Sequence, residues 1–367
     1  MSRLRELMEL RGVEAVVLRR PENFAWYTGG GNSRVEYAAP LGAADVVVTR
    51  EREWVLTSTI EGPRMRAEEA PGFEVAEYPW HEGPEATLHE LVGASSLGAD
   101  FALPGAVDLS DELSALRRVL DRDAVERLRS VGADLTAALA EAASAVQPGI
   151  TEHDAATEIA AACRRRGLVP TVLLAATHDR IGRYRHPLPT DAPLERRVML
   201  VASAQRGGLY ANLTRIVAFE EPGAELARRQ SAADEILERM RSVATRPGRS
   251  LVDAFADCRR FYADAGFPEE WRLHHQGGMT GYASREVIAT PYTDVPVEVG
   301  QAFAWNPSVT GAKAEETFVL TEAGAEVVAG AVTPTALSAL RERQPKQEEE
   351  RWHRQPLPPT GPRDYAA

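Results

Sequence analysis

The chain has 367 residues, with 42 Lys and Arg against 54 Asp and Glu, for a formal net charge of −12. That acidity excludes a broad phosphate-binding surface, because nucleic-acid recognition needs a basic face or stripe; the length predicts about two domains. Two cysteines, Cys163 and Cys258, make no disulfide framework and fit a reducing compartment. No apolar run nears the ~20 residues of a membrane helix, and Met1–Arg11 carries mixed charge without an apolar leader core. The expected setting is the cytoplasm, with neither nucleic acid nor membrane as a partner.

Short β-rich runs at Glu14–Arg19, Asn23–Thr28, Ala44–Thr49 and Glu53–Ser58 are punctuated by Gly, Pro and Asn and read as strands. Helices are expected between them at Ser2–Arg11, Gly62–Ala70, Pro84–Val92 and Ser110–Leu120, which gives an α/β domain. From Asp121 the pattern changes to long helices. Val125, Leu128, Val131, Leu135, Ala138 and Leu139 mark one apolar stripe, stopped by Pro148-Gly149-Ile150, and Thr151 to Asp154 has the form of a capping box for the next helix. Strands are expected at Thr171–Ala176, Arg197–Ser203 and Leu209–Phe219, helices at Glu225–Val243 and Leu251–Ala265, and strand character again from Gln301 to Leu320. Pro345–Ala367 holds too few apolar residues to fold alone and reads as a tail, with Trp352 and Tyr365 as possible anchors. The expected division is 1–120, 121–342 and a polar tail over 343–367.

The sequence has no phosphate loop, no G-x-S-x-G elbow, no H-E-x-x-H and no CxxC pair. The order of its other features is more informative. An α/β N-terminal region is followed by RRVLDRDAVERLRS at 117–130, QPGITE at 147–152, His186-Pro187, YANLTR at 210–215, HHQGG at 274–278, WNP at 305–307 and KAEETFVL at 313–320. Over residues 10–335 this series resembles the pita-bread family that includes creatinase, prolidase and the proline-specific aminopeptidases. The resemblance implies an α+β fold, with a creatinase-type α/β N-terminal domain followed by a C-terminal pita-bread domain. It also implies a homodimer, for which the stripes at Glu225–Val243 and Val125–Leu139 offer apolar surface.

The metallopeptidases of that family resemble one another in holding two metal ions with two Asp, one His and two Glu. Carried over from the anchor Leu213-Thr214-Arg215, the Asp positions fall on Val201 and Asn212, the His on Gly278 or Met279, and the first Glu on Asn306. Only the last Glu is kept, as Glu315. Too few anionic oxygens remain to neutralise two divalent ions, so no metal and no other cofactor is expected. Creatinase, which shares the fold and works without metal, is the closer chemical likeness.

That likeness implies a proton-carrying histidine at His186, in the first loop, and a substrate-gripping carboxylate at Glu315. Imidazole titrates near neutrality and suits the proton-carrying role, although a loop histidine also serves as a surface or capping group. Strand alternation sends one of His274 and His275 inward, with His275 the preferred one, and one of Glu315 and Glu316, with Glu315 preferred by register. The alternative for Glu315 is an ion pair with Arg215 or Lys313. Asn212 and Asn306 stand on strand patterns where Asn is disfavoured, and Arg285 has the fork to clamp a carboxylate. Trp26, Tyr27 and Trp305 line the cavity or fill core.

The expected catalytic set is therefore His186, Glu315 and His275, and the expected substrate-binding set is Asn212, Asn306, Arg285, His274 and Tyr210. The chain reads as a metal-independent hydrolase or lyase acting on a C–N bond of a small polar amide-, ureido- or amino-acid-like molecule. Two other readings stand beside it: a non-catalytic pita-bread binding module, and a conventional Xaa-Pro metallo-aminopeptidase whose ligands lie in another register.

Overall fold

Val16, Val17 and Leu18 form an unbroken apolar run, the pattern of a strand covered on both faces. In the computed structural model, which describes residues 2–330, the strand Ala15–Leu18 lies inside a six-stranded sheet. It runs antiparallel to Ala44–Thr49 and parallel to Leu97–Ala99. One face packs on Leu4, Leu7 and Met8 of the helix Ser2–Arg11, and the other on Leu88 and Val92 of the helix Glu85–Val92.

Residues 23–28 depart from the strand expected there and belong to the helix Pro21–Thr28. Pro21 is the physical reason: its fixed φ and missing N–H suit a first helical turn, and Gly29 at φ 73° closes the other end. Phe24 and Ala25 are buried by that helix, while Tyr27 packs on the N-terminal core and Trp26 on that core and on the cluster around Leu120 and Leu128.

The long helix Arg122–Ala145 starts where the Asp121 side chain accepts from the Ala124 amide, and Glu152–Arg165 starts on the Thr151/Asp154 capping box. The stripe of the first of these packs against an antiparallel three-stranded sheet of Val169–Thr177, Arg197–Arg206 and Leu209–Ala218. Gly132 lets it close on the final strand, since a Cβ there would stand 2.2 Å from the Val328 carbonyl oxygen. The helices Ala224–Arg239 and Leu251–Asp264 cover a second sheet that contains Gly277–Thr280, Ala302–Trp305 and Glu316–Thr321. Most of the stripe at 125–139 and the Ile236, Leu237 and Met240 part of the stripe at 225–243 pack inside the chain, while Val243 stays exposed.

The two sheets meet where the strand Leu209–Ala218 lies against Glu316–Thr321. The Asn212 amide donates to Thr317 Oγ1 at 2.8 Å, and the Thr214 hydroxyl donates to Glu315 at 2.6 Å. This seam is where the candidate site forms. The tail at 343–367, with Trp352 and Tyr365, lies outside the described residues.

Candidate active site

A cavity of about 350 Å³ opens over the seam, walled by His186, His275, Arg285, Lys313 and Glu315, with Asn212, Asn306, Ser203 and Ser284 deeper in it. Val201 and Leu174 supply its apolar side. Six of the eight residues named from the sequence line this one space. His274 stands directly behind it, in contact with His186, whereas Tyr210 lies elsewhere: it faces a small cleft with Arg34, Gln205 and Tyr282, where its amide donates to the Gly281 carbonyl. Tyr210 shares the face of Asn212, but the strand carries it two residues further along, out of the cavity.

The strand alternation holds at residues 315 and 316. Glu315 turns into the cavity, while Glu316 turns away to meet Arg241 at 2.8 Å. Glu315 is not, however, free to grip a substrate. One carboxylate oxygen takes Arg285 at 3.0 Å, and the other takes Lys313 at 2.9 Å together with the Thr214 hydroxyl. Burial alone would raise its pKa, but the two cations outweigh that and hold it down at about 2. Arg285 is likewise engaged on Glu315 and on the Ser284 carbonyl, and only its buried Nε lacks a partner among the described residues. Arg215 plays no part in this cluster and donates to the Gly330 carbonyl. Trp305 is fully buried core, with its ring N–H on Thr245.

Lys313 is the residue that sequence reasoning left as a mere counter-ion. It is one of only two lysines in the chain, beside 346, in a sequence whose other basic residues are all Arg. That rarity is the signal that singles it out: an ammonium is a compact point charge, and here it sits almost fully buried against a carboxylate.

Three imidazoles gather at the other end of the cavity. His186 follows the short helix His178–Arg183, while His274 and His275 follow the turn Glu270–Leu273. His186 Nε2 and His274 Nε2 are 2.9 Å apart, and His274 Nδ1 lies 3.4 Å from Ser308 Oγ. The His275 Nδ1 accepts from the Gly277 amide at 3.3 Å. Burial, with Lys313 next in weight, pushes His274 down to about 2; burial and Arg285 push His275 down to about 4. His186 sits at the solvent-exposed rim, yet partial desolvation and Lys313 still lower it. All three rings are therefore neutral near pH 7.

A buried carboxylate and a half-buried one hold the His186 loop. Glu152 accepts from the Thr177 amide, Arg180 Nε and both the amide and hydroxyl of Thr190, and Glu270 accepts from Arg185 and Thr310. The helix at 178–183, which no apolar period marks in the sequence, belongs to this clamp.

Asn306 is 2 % exposed, yet its side-chain Oδ1 has no hydrogen-bond partner among the described residues. A buried acceptor left unpaired is costly, so this oxygen is poised for a ligand that donates a hydrogen bond. The two-ion site of the metallopeptidases does not fit these residues. Both oxygens of the retained Glu315 are taken by cations, and a Cβ at Gly278 would stand 2.2 Å from the Val287 carbonyl oxygen, leaving no room for a histidine there.

A model of metallopeptidase family M24 matches residues 126–322, and a model of the creatinase/prolidase N-terminal domain matches residues 1–131. A probable dipeptidase PepE of Mycobacterium tuberculosis is 28% identical over 248 residues, 65% of this chain and 64% of that one. The match spans less than two thirds of the length of such curated relatives. Among solved structures, a prolidase from Pyrococcus horikoshii OT3 has a TM-score of 0.76 at 17% identity, over 90% of this chain and 98% of that one. The dipeptidase PepE of Mycobacterium ulcerans has a TM-score of 0.72 at 21% identity, over 89% and 93%. These structural likenesses establish the fold.

Proposed function

From the premise that this chain belongs to metallopeptidase family M24, within the creatinase/prolidase pita-bread group, we propose that it cleaves a C–N bond of a small amide-, ureido- or amino-acid-like molecule without the two-metal centre of its relatives. The observation that carries this reading is the convergence of His186, His275, Lys313, Arg285 and the unpartnered Asn306 Oδ1 on one cavity. A decayed binding module has no need to keep an acid–base group and fixed cations pointing into the same space. Relatives named as dipeptidases and prolidases support a substrate the size of a dipeptide, which suits a cavity of about 350 Å³.

In this reading His186 takes a proton from the attacking water and returns it to the departing nitrogen as the C–N bond breaks. The Nε2 contact with His274, backed by Ser308, fixes the orientation of its ring. Negative charge that develops on the carbonyl oxygen meets Lys313 and Arg285, whose positions Glu315 sets. Asn306 and Asn212 hold the substrate amide. The same proposal places the domain boundary near residue 120 and the protein, as a homodimer, in the cytoplasm. Both cysteines are free and buried, which fits a reducing compartment, and among the described residues no helix is long and apolar enough to cross a membrane.

The test is turnover of a panel of dipeptides, N-carbamoyl amino acids and small amides by the native chain and by His186→Ala, each with and without EDTA. Turnover that survives EDTA and falls with the substitution is the expected result. Turnover abolished by EDTA and restored by Mn²⁺ or Co²⁺ would return the chain to the two-metal chemistry of its relatives.

A further inference from the structure

The three imidazoles lie close enough together to serve a second purpose. We infer that His186, His274 and His275 form a binding site for one ion of the zinc, nickel or copper class, separate from the family's two-ion site and lacking its carboxylates. One nitrogen from each of the three rings lies within 4.8 Å of the others, and the tightest pair is 2.9 Å apart. A tetrahedral centre with metal–nitrogen bonds of about 2.0–2.1 Å spaces its nitrogens about 3.3–3.4 Å apart, so modest ring rotations complete the set. An all-nitrogen set selects borderline metals over magnesium, calcium or manganese, which prefer oxygen.

The surroundings complete the case. Ser308 Oγ, 3.4 Å from His274 Nδ1, is placed to orient that ring from behind, as second partners of ligating histidines commonly do. His275 joins by giving up the long contact that its Nδ1 accepts from the Gly277 amide. His186 and His275 both line the cavity, so an ion has an entry path and its fourth position faces the open space. Lys313 and Arg285 on the same wall oppose a dication, which lowers the affinity below that of a resident cofactor. The consequence for the proposed reaction is inhibition, because an ion bound to His186 engages the ring that would carry the proton and breaks its contact with His274. The binding itself does not depend on that reaction.

The experiment titrates the full chain, freed of metal by EDTA and dialysis, with Zn²⁺ by calorimetry and with Co²⁺ by visible absorption. The expected result is one equivalent of Zn²⁺ and the intense visible bands of tetrahedral Co²⁺. His186→Ala, at the exposed rim where folding is not at risk, should weaken binding at least tenfold, and so should His275→Ala. Glu315→Gln, which leaves Lys313 and Arg285 uncompensated beside the site, should lower the affinity but keep the stoichiometry at one equivalent. The inference is overturned by absence of saturable binding, by undiminished binding in His186→Ala, or by two equivalents lost in Glu315→Gln, the last being the signature of the relatives' own site. If Zn²⁺ binds but the substrate panel shows no turnover, the site stands and only the proposed reaction falls.

Discussion

Lys313→Met tests the electrostatic centre of the cavity most directly. The substitution keeps the length of the side chain and removes its charge, leaving Glu315 buried with Arg285 at 3.0 Å and the Thr214 hydroxyl at 2.6 Å. Breaking a buried pair costs about 3–5 kcal/mol because the abandoned charge stays desolvated. With Arg285 still in place, the expected cost is at the lower end, about 3 kcal/mol. Adding Glu315→Gln to Lys313→Met removes the abandoned charge, and the double variant should recover at least half of the loss. Urea unfolding followed by tryptophan fluorescence and by circular dichroism measures both, provided the two probes coincide and the slope is unchanged. A single variant within about 1 kcal/mol of native would refute the argument, and so would a double variant less stable than either single one.

His186→Ala should lower turnover roughly 10²–10⁴-fold with little change in melting temperature, the range expected for loss of a general acid–base group; a variant with native turnover would eliminate it as the proton carrier. The acid limb of the native pH–rate profile should lie below the ordinary histidine range, since desolvation and Lys313 lower His186. Stability has its own pH dependence: His274 and His275 bind protons in the unfolded chain below about pH 6.5 but resist them in the folded one. Stability should therefore be complete above that point and fall as pH drops toward 4, and a urea midpoint constant from pH 7 to 5 would contradict this. Glu152→Gln should loosen the His186 loop, seen as faster amide exchange at Thr177 and Thr190; unchanged exchange would mean that the carboxylate charge is not what holds the loop. Sedimentation at micromolar concentration should show a dimer, and a species of monomer mass would count against it.

Much of this fold was legible because local chemistry and tertiary placement agree. The helix Ser2–Arg11 and the Thr151/Asp154 capping box stand where the residues put them, and the strand Ala44–Thr49 keeps its expected bounds. The helix at 21–28 was not, since Phe24, Trp26 and Tyr27 favour strands and only Pro21 and Gly29 spoke for a helix. At the site, residue types were legible and partnerships were not. A row of sequence cannot say that Glu315 meets Lys313 and Arg285 at once, because Arg285 reaches it from thirty residues away. Nor does it show that His274, behind the cavity, is the ring that touches His186.

The charge of Glu315 is answered within the chain. An ammonium and a guanidinium occupy its two oxygens, and Val201 borders the same cavity without a charge to compete for them. A fixed ammonium can stabilise negative charge on an oxygen, yet it cannot bind a water and lower its pKa as a metal does. On the proposed reading the burden of activating water passes to a base, and His186, lowered in pKa and therefore unprotonated at neutral pH, lines the cavity at its exposed rim. Fold and family membership leave this open, since one scaffold hosts many chemistries. What argues for catalysis is that the charge, the base and the unpartnered Asn306 oxygen stand together in one cavity.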